Sequence, residues 1–314
     1  MRSTWPPRTR DRGTSCVALT RVGCLSSSPS TPTTRLPRAR HAGAPSPSST
    51  TAPRRCGPTR TSFAVDHWLR EIGPPVEPLH WPFEERRLPA FPHQGDTWEI
   101  RLPADVDALV HEFANTARAT PFAVLMAAYA VLIGEVCRTD TPVIGGGLRN
   151  RRLPGIDRTV GMFVNQCAFS YEDWRSRTFA ELAQSTTSRL AAAMDHQEVP
   201  FPLVTQHLTL SRDRSRNPVF QTCISMNDWP DTQLDYGPGM TVDVSFPSNG
   251  GAKFDLDIIV LPEPGGTRML WRYSTPLFTA ADAEDLVSRY LALVTDLVAA
   301  PHALLGARTE QVAS

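Results

Sequence analysis

Histidines, cysteines and interior amides are the groups in this sequence able to move protons, attack carbonyls, hold metals or fix backbone. The six cysteines, Cys16, Cys24, Cys56, Cys137, Cys167 and Cys223, form no C-x-x-C pair, and no histidine stands at ligand spacing from them. They read as reduced structural thiols, and no metal site is expected. Neither a G-x-S-x-G elbow nor an H-E-x-x-H helix occurs, so no nucleophile with its base is legible. His67 beside Trp68 and His196 beside Gln197 sit where packed, hydrogen-bonded rings are expected rather than general bases. His41, His80, His93, His111, His207 and His302 have no partner at meaningful spacing. A different stretch poses the sharper question. VGMFVNQCAF, Val160 to Phe169, reads as a buried strand, yet Asn165 and Gln166 interrupt its apolar run. A buried amide must be hydrogen-bonded, so something has to receive them.

These groups sit in a chain of 314 residues, long enough for one large domain or two smaller ones. Formal charge sums to zero, but residues 1–60 hold 11 of the 32 basic residues and a single acid, Asp11. The remainder carries 21 basic against 31 acidic residues, a net charge of −10. That balance opposes a nucleic-acid footprint, which needs clustered Arg and Lys against phosphate. No run approaches the roughly 20 apolar residues of a membrane span, and a soluble, cytoplasmic protein is expected. Residues 1–60 are rich in Arg, Ser, Thr and Pro, with nine prolines and no apolar periodicity. Burial cannot offset the ordering entropy of such a segment. Its Arg and Ser content matches a transit peptide, but the prolines oppose an amphipathic helix. A disordered leader, or sequence translated out of frame, is the expectation.

From Phe63 onward helix and strand signals alternate. TWEIRLP alternates like a strand, and Ala104 to Arg118 follows with Val106, Leu109, Val110 and Phe113 on one helical face. Thr120 and Pro121 open a helix, FAVLMAAYAVLIGEV, that is apolar nearly all round and so buried on most sides. TPVIGGGLR reads as a short strand ending in three glycines; with no G-K-S/T after them, close backbone approach or a bulge outweighs a phosphate cradle. Thr178 caps a helix to Met194 whose core face is Phe179, Leu182, Thr186, Leu190 and Ala193, and a shorter helix starts at Phe201. VFQTCISMN, MTVDVSF and the two runs of FDLDIIVLPEPGGTRMLWRY read as strands, the last pair as a hairpin around Pro-Gly-Gly. Ala281 to Ala299 closes the pattern as a helix with Leu286, Tyr290, Leu293 and Leu297 on one stripe. The fold class is α/β: two layers, one mixed sheet covered by helices.

Three stretches together carry a resemblance. VGMFVNQCAF at 160, HQEVPF at 196 and RDRSRNPVFQ at 212 resemble, in order and spacing, three signature motifs of the condensation domains of nonribosomal peptide synthetases. TPFAVLMAAYAVLIGEVCRTDTPVIGGGLRNR, KFDLDIIV and YSTPLF resemble their flanks, and FAVDHWLREI resembles the end of the crossover between the two lobes of such a domain. The resemblance spans residues 62–305, leaving 306–314 as a tail. It implies one lobe of the chloramphenicol acetyltransferase-like fold, and amide-bond formation between carrier-bound aminoacyl or peptidyl thioesters as the activity of the full domain. Its motif residues, Gly161, Phe163, Asn165, His196, Gln197, Pro200, Phe201, Arg216 and Asn217, would line or shape the substrate tunnel. By analogy Asn165 pairs with backbone where the strand loses its ladder, Gln197, Pro200 and Phe201 form a helix-to-helix corner, and Arg216 and Asn217 fix a turn before Pro218. Asp213 would pair with Arg212 or Arg216.

The family's catalytic motif, two histidines followed after three residues by Asp-Gly, belongs to the first lobe. This sequence has no His-His pair and no histidine with an aspartate four residues on. The expectation is therefore a truncated or split domain, inactive alone, with no catalytic residue of its own and none substituted from residues 1–60. Its partners would be carrier proteins, whose phosphopantetheine arms bring the substrates, and a separate N-terminal lobe; no cofactor would be bound directly. The alternative is a noncatalytic module that docks carrier proteins or tailoring enzymes.

Overall fold

Local sequence sets most element boundaries. The computed structural model describes residues 60–73, 76–152, 154–156, 159–227 and 246–312. The leader up to Thr59, the expected strand MTVDVSF except its last residue, and Cys16, Cys24, Cys56 and His41 lie outside them. The elements are α1 (Arg60–Ile72), β1 (Gly95–Arg101), α2 (Ala104–Thr116), α3 (Pro121–Val136), β2 (Val143–Leu148), β3 (Asn165–Ser170), α4 (Phe179–Asp195), α5 (Phe201–Thr205), β4 (Thr222–Met226), β5 (Leu256–Leu261), β6 (Arg268–Ser274), α6 (Ala280–Ala299) and α7 (Leu305–Val312). The Thr120 hydroxyl accepts from Ala123 N at 3.1 Å to start α3. Reciprocal capping boxes, Thr178 with Glu181 and Thr279 with Asp282, start α4 and α6. Each satisfies N–H groups that a helix start leaves without a partner.

The strands form one mixed sheet in the order β1-β6-β5-β4-β2-β3. β1, β6 and β5 run antiparallel, β4 is parallel to β5 and β2, and β3 closes the edge antiparallel to β2. Between β2 and β4 the register aligns Gly145 with Cys223. All three glycines lie inside β2 rather than after it. A Cβ on Gly145 would stand 2.2 Å from the Phe220 ring, which is the close approach expected of that run.

Helix α3 is buried at every position from Ala123 to Gly134, because α2, α4 and α6 pack around it. Burial on this scale contributes about 25 cal/mol per Å² of apolar surface. Tyr129 of α3 hydrogen-bonds Thr222 of β4, and Tyr290 of α6 donates to Leu125 O at 2.9 Å. These bonds fix both helices over one face of the sheet. In α2 the buried face is Val106, Val110, Phe113 and Ala114; Leu109, expected there, is exposed. It sits at the edge of the stripe that the other four define. Of the stretch expected as a tail, residues 306–312 lie in α7, where Leu305 N donates to Arg177 O at 3.0 Å and Arg308 pairs with Asp296 at 2.9 Å. Among the described residues no single helix is long and apolar enough to cross a membrane.

Candidate functional site

The motif residues of the sequence fall into two groups, and Asn165 organises the first. Leu148 of β2 pairs with Asn165, the first residue of β3. Beyond Leu148 the chain turns away, with Asn150 at φ 51°, so residues 160–164 have no strand to pair with. The buried strand expected from Val160 therefore starts only at Asn165, and Val160, Met162 and Val164 are exposed at 101%, 88% and 56%. The Arg151 guanidinium holds the loop, lying 4.3 Å over the Phe163 ring and donating to Ile156 O (2.7 Å), Thr159 O (2.9 Å) and Gly161 O (3.2 Å).

Asn165 uses both ends of its amide. Its Nδ2 donates to Gln197 O at 3.0 Å and Val199 O at 2.5 Å, and its Oδ1 accepts from Gln166 N at 3.0 Å and Phe201 N at 3.1 Å. The edge strand is thereby joined to the corner between α4 and α5, whose backbone has no ladder partner. Gln197 is buried and does the same for the neighbouring turn, its Oε1 accepting from Asn150 N at 2.8 Å and its Nε2 donating to Met194 O at 2.7 Å. Pro200 caps α5, and the Phe201 ring packs 5.6 Å from Phe220. Gln166, the second amide of the stretch, is exposed.

His196 closes α4 as its C-cap, and its ring stacks on His67 of α1 with centroids 4.1 Å apart and planes at 26°. Trp68 Nε1 donates to His196 O at 3.1 Å. Both histidines are packed, as expected, but the hydrogen bond expected at His67 is missing at Nε2, and their pairing was not legible because they stand far apart in sequence. Burial, then the neighbouring His196, pushes the His67 pKa below its ordinary value of 6.5. Its Nε2 is buried without a hydrogen-bond partner.

Arg216 and Asn217 belong to a second group. Arg216 pairs with Asp213 at 2.8 Å and Glu84 at 2.6 Å and donates to Leu79 O at 3.0 Å; Asn217 donates to Lys253 O at 2.8 Å. Between the two partners expected for Asp213, Arg216 is the one found, and the pair reaches beyond the local turn. Behind them Arg87 forks onto Asp255 at 3.0 and 2.7 Å and pairs with Glu84, while Trp81 Nε1 donates to the same Asp255 at 3.0 Å. Gln221 bridges Leu79 N and Asn217 O at 2.7 and 2.6 Å. Burial works against the Arg87 charge, yet hydrogen bonds to Asp255 and Glu84 outweigh it and raise its pKa. Residues Trp81, Glu84, Arg87, Gln221 and Asp255 were missed by sequence reasoning; the one signal was an aspartate at the start of the buried run KFDLDIIV.

Alternation in β4 and β5 turns Cys223, Ser225 and Asp257 to the face opposite Tyr129. There a Cβ on Gly147 would lie 3.7 Å from the Ser225 Cβ and 3.9 Å from Val164, so the glycine strand and the exposed loop meet. Arg272 places Nε and Nη2 on one oxygen of Asp257, leaving Oδ1 buried with no partner. Burial, against the opposing pull of Arg272, raises the Asp257 pKa. Cys137, Cys167 and Cys223 are free and buried, and burial pushes each thiol up, away from reactive thiolate. A cavity of about 200 Å³ opens beside α1 and α4, walled by Arg70, Glu71, Arg177 and Arg189. Glu71 there pairs with Arg189. Among the described residues no cluster of three or more metal-ligating side chains occurs. The arrangement can position and enclose.

A mixed sheet with helices over one face and an amide-locked edge strand defines the class. The chain belongs to the condensation-domain family, whose model matches residues 61–309. It is 28% identical over 242 residues to tyrocidine synthase 3 of Brevibacillus parabrevis, covering 76% of this chain and 4% of that protein. It thus spans a small part of the curated relatives it matches. Its fold is similar to the X-domain from teicoplanin biosynthesis, with a TM-score of 0.71, 20% identity, and 80% of this chain and 57% of that one covered. A complex of the X-domain and OxyB from teicoplanin biosynthesis is similar too, at TM-score 0.68 and 21% identity over 78% of this chain and 54% of that one.

Proposed function

We propose that residues 61–309 form one wall of an amide-forming condensation site, and that the proton-handling histidine pair comes from polypeptide outside these 314 residues. In this reading a carrier-bound acyl or peptidyl thioester meets a carrier-bound aminoacyl amine at that wall, each delivered on a phosphopantetheine arm. Gly161, Phe163, Asn165, His196, Gln197, Pro200 and Phe201 shape the tunnel, and Arg216 with Asn217 braces its frame. The observation that carries the reading is the Asn165 corner, a fully hydrogen-bonded amide lock beside an exposed apolar loop at Val160, Met162 and Val164. Exposed apolar surface of this kind marks a face for another polypeptide. Positioning without a base is half of what acyl transfer needs. Incubated with donor and acceptor carrier thioesters, the chain alone is expected to give no amide product, and to give product once a polypeptide bearing the His-His-x-x-x-Asp-Gly lobe is added. Turnover by the lone chain, lost in His196→Ala, overturns this.

A second reading, a noncatalytic docking module, is supported by the likeness to the X-domain solved with OxyB. It separates from the first by the mixing experiment: a docking module stays inactive with the added lobe and instead retains a carrier protein or tailoring enzyme on a binding column.

A further inference from the structure

We propose that the stacked His67–His196 pair is a pH-operated latch, holding helix α1 against the corner that receives Asn165 and releasing it when the His67 ring takes up a proton. The rings lie 4.1 Å apart at 26°, a contact that two neutral imidazoles tolerate and two cations do not. A proton on His67 Nε2 would sit in a buried position with no acceptor. Besides His196, the charged groups that act on the His67 ring are Glu71, which favours its protonation, and Arg70 and Arg189, which oppose it. On α1, Glu71 is the one acid among them, and its carboxylate is held by Arg189 of α4; Arg70 and Arg189 repel a second positive charge. Asp195, next to His196, is engaged by Arg152 at 2.8 Å. β3 presents Phe169 to Trp68, and α5 carries no titratable side chain.

The latch sits on the lines of force of the corner. Trp68, adjacent to His67, donates to His196 O, and the next turn supplies Gln197 O and Val199 O to Asn165. Loosening α1 therefore loosens the turn that locks the edge strand. The sign follows from the lowered His67 midpoint: the released state binds the proton more readily. Stability from the neutral pair is present above 6.5 and is lost as pH falls through the folded midpoint.

Histidine-ring NMR titration of the full chain tests this together with amide hydrogen exchange across residues 64–72. In the wild-type protein the His67 ring is expected to titrate below 6.5, and α1 protection, corrected for intrinsic exchange, to fall by up to about tenfold per pH unit between the two midpoints. His196→Phe should move the His67 midpoint upward, and His67→Phe should remove the acid-induced opening. A His67 ring titrating at or above 6.5, a midpoint unmoved in His196→Phe, or the same opening in His67→Phe overturns the latch. The wild-type titration decides the matter even if neither variant folds.

Discussion

The Asn165 corner and the Arg87–Asp255 network both secure irregular backbone against the sheet, one with a neutral amide and the other with buried charge. At the corner each bond runs between an amide and a peptide group, so nothing in it titrates. In the network, Arg87 and Asp255 are 8% and 1% exposed, and Glu84 and Arg216 extend the pairing outward. A buried charge that loses its partner costs about 3–5 kcal/mol, whereas a neutral amide or peptide group left unpaired costs about 1–3 kcal/mol. The network should therefore fail abruptly and with pH, and the corner by degrees.

Four experiments test that contrast, in falling order of effect. Asp255→Ala takes two hydrogen bonds from the buried Arg87, which keeps Glu84, and removes the acceptor of Trp81 Nε1, and urea denaturation should show a loss of about 3–5 kcal/mol; a loss under about 1 kcal/mol would mean that the two regions do not differ. Asn165→Ala frees Phe201 N and two carbonyls, and the same measurement should give about 2–3 kcal/mol, as expected for several bonds of about 1 kcal/mol each. Acid sensitivity comes next. Glu84 is desolvated, but its bonds to Arg87 lower its pKa below 4.5 overall. Its contribution is present above 4.5 and lost as pH falls through the folded midpoint. Glu84→Gln should flatten the stability profile there, while Asn165→Ala should shift the profile without changing its shape. The smallest effect belongs to Met162→Ser on the exposed loop: within about 0.5 kcal/mol in stability, with weaker association with an added first lobe as the readout that moves.

Helix starts were legible residue by residue. Thr120-Pro121, the Thr178 cap and the Pro-Gly-Gly hairpin each act over four residues or so, a range within which sequence spacing equals spatial spacing. The corner was half legible. Asn165 stood out as an amide in an apolar run, but its partners at 197, 199 and 201 emerge only when β3 is laid beside the α4–α5 turn. Leu109 and the loop at 160–164 show the limit of pattern: a side chain at the margin of a stripe, or apolar residues beyond the last paired strand, point to solvent whatever their type.

From residue order alone come the α/β class, the all-round burial of α3, the caps of α3 and α4 and the family, because each rests on local spacing or on contiguous motifs. Arg87 meeting Asp255 across 168 residues, His67 stacking on His196, and Asp257 keeping an unpaired oxygen had to wait for the fold. Those contacts depend on strand order, and a strand's neighbours in a mixed sheet are chosen by packing of the whole core rather than by the residues beside it in the chain.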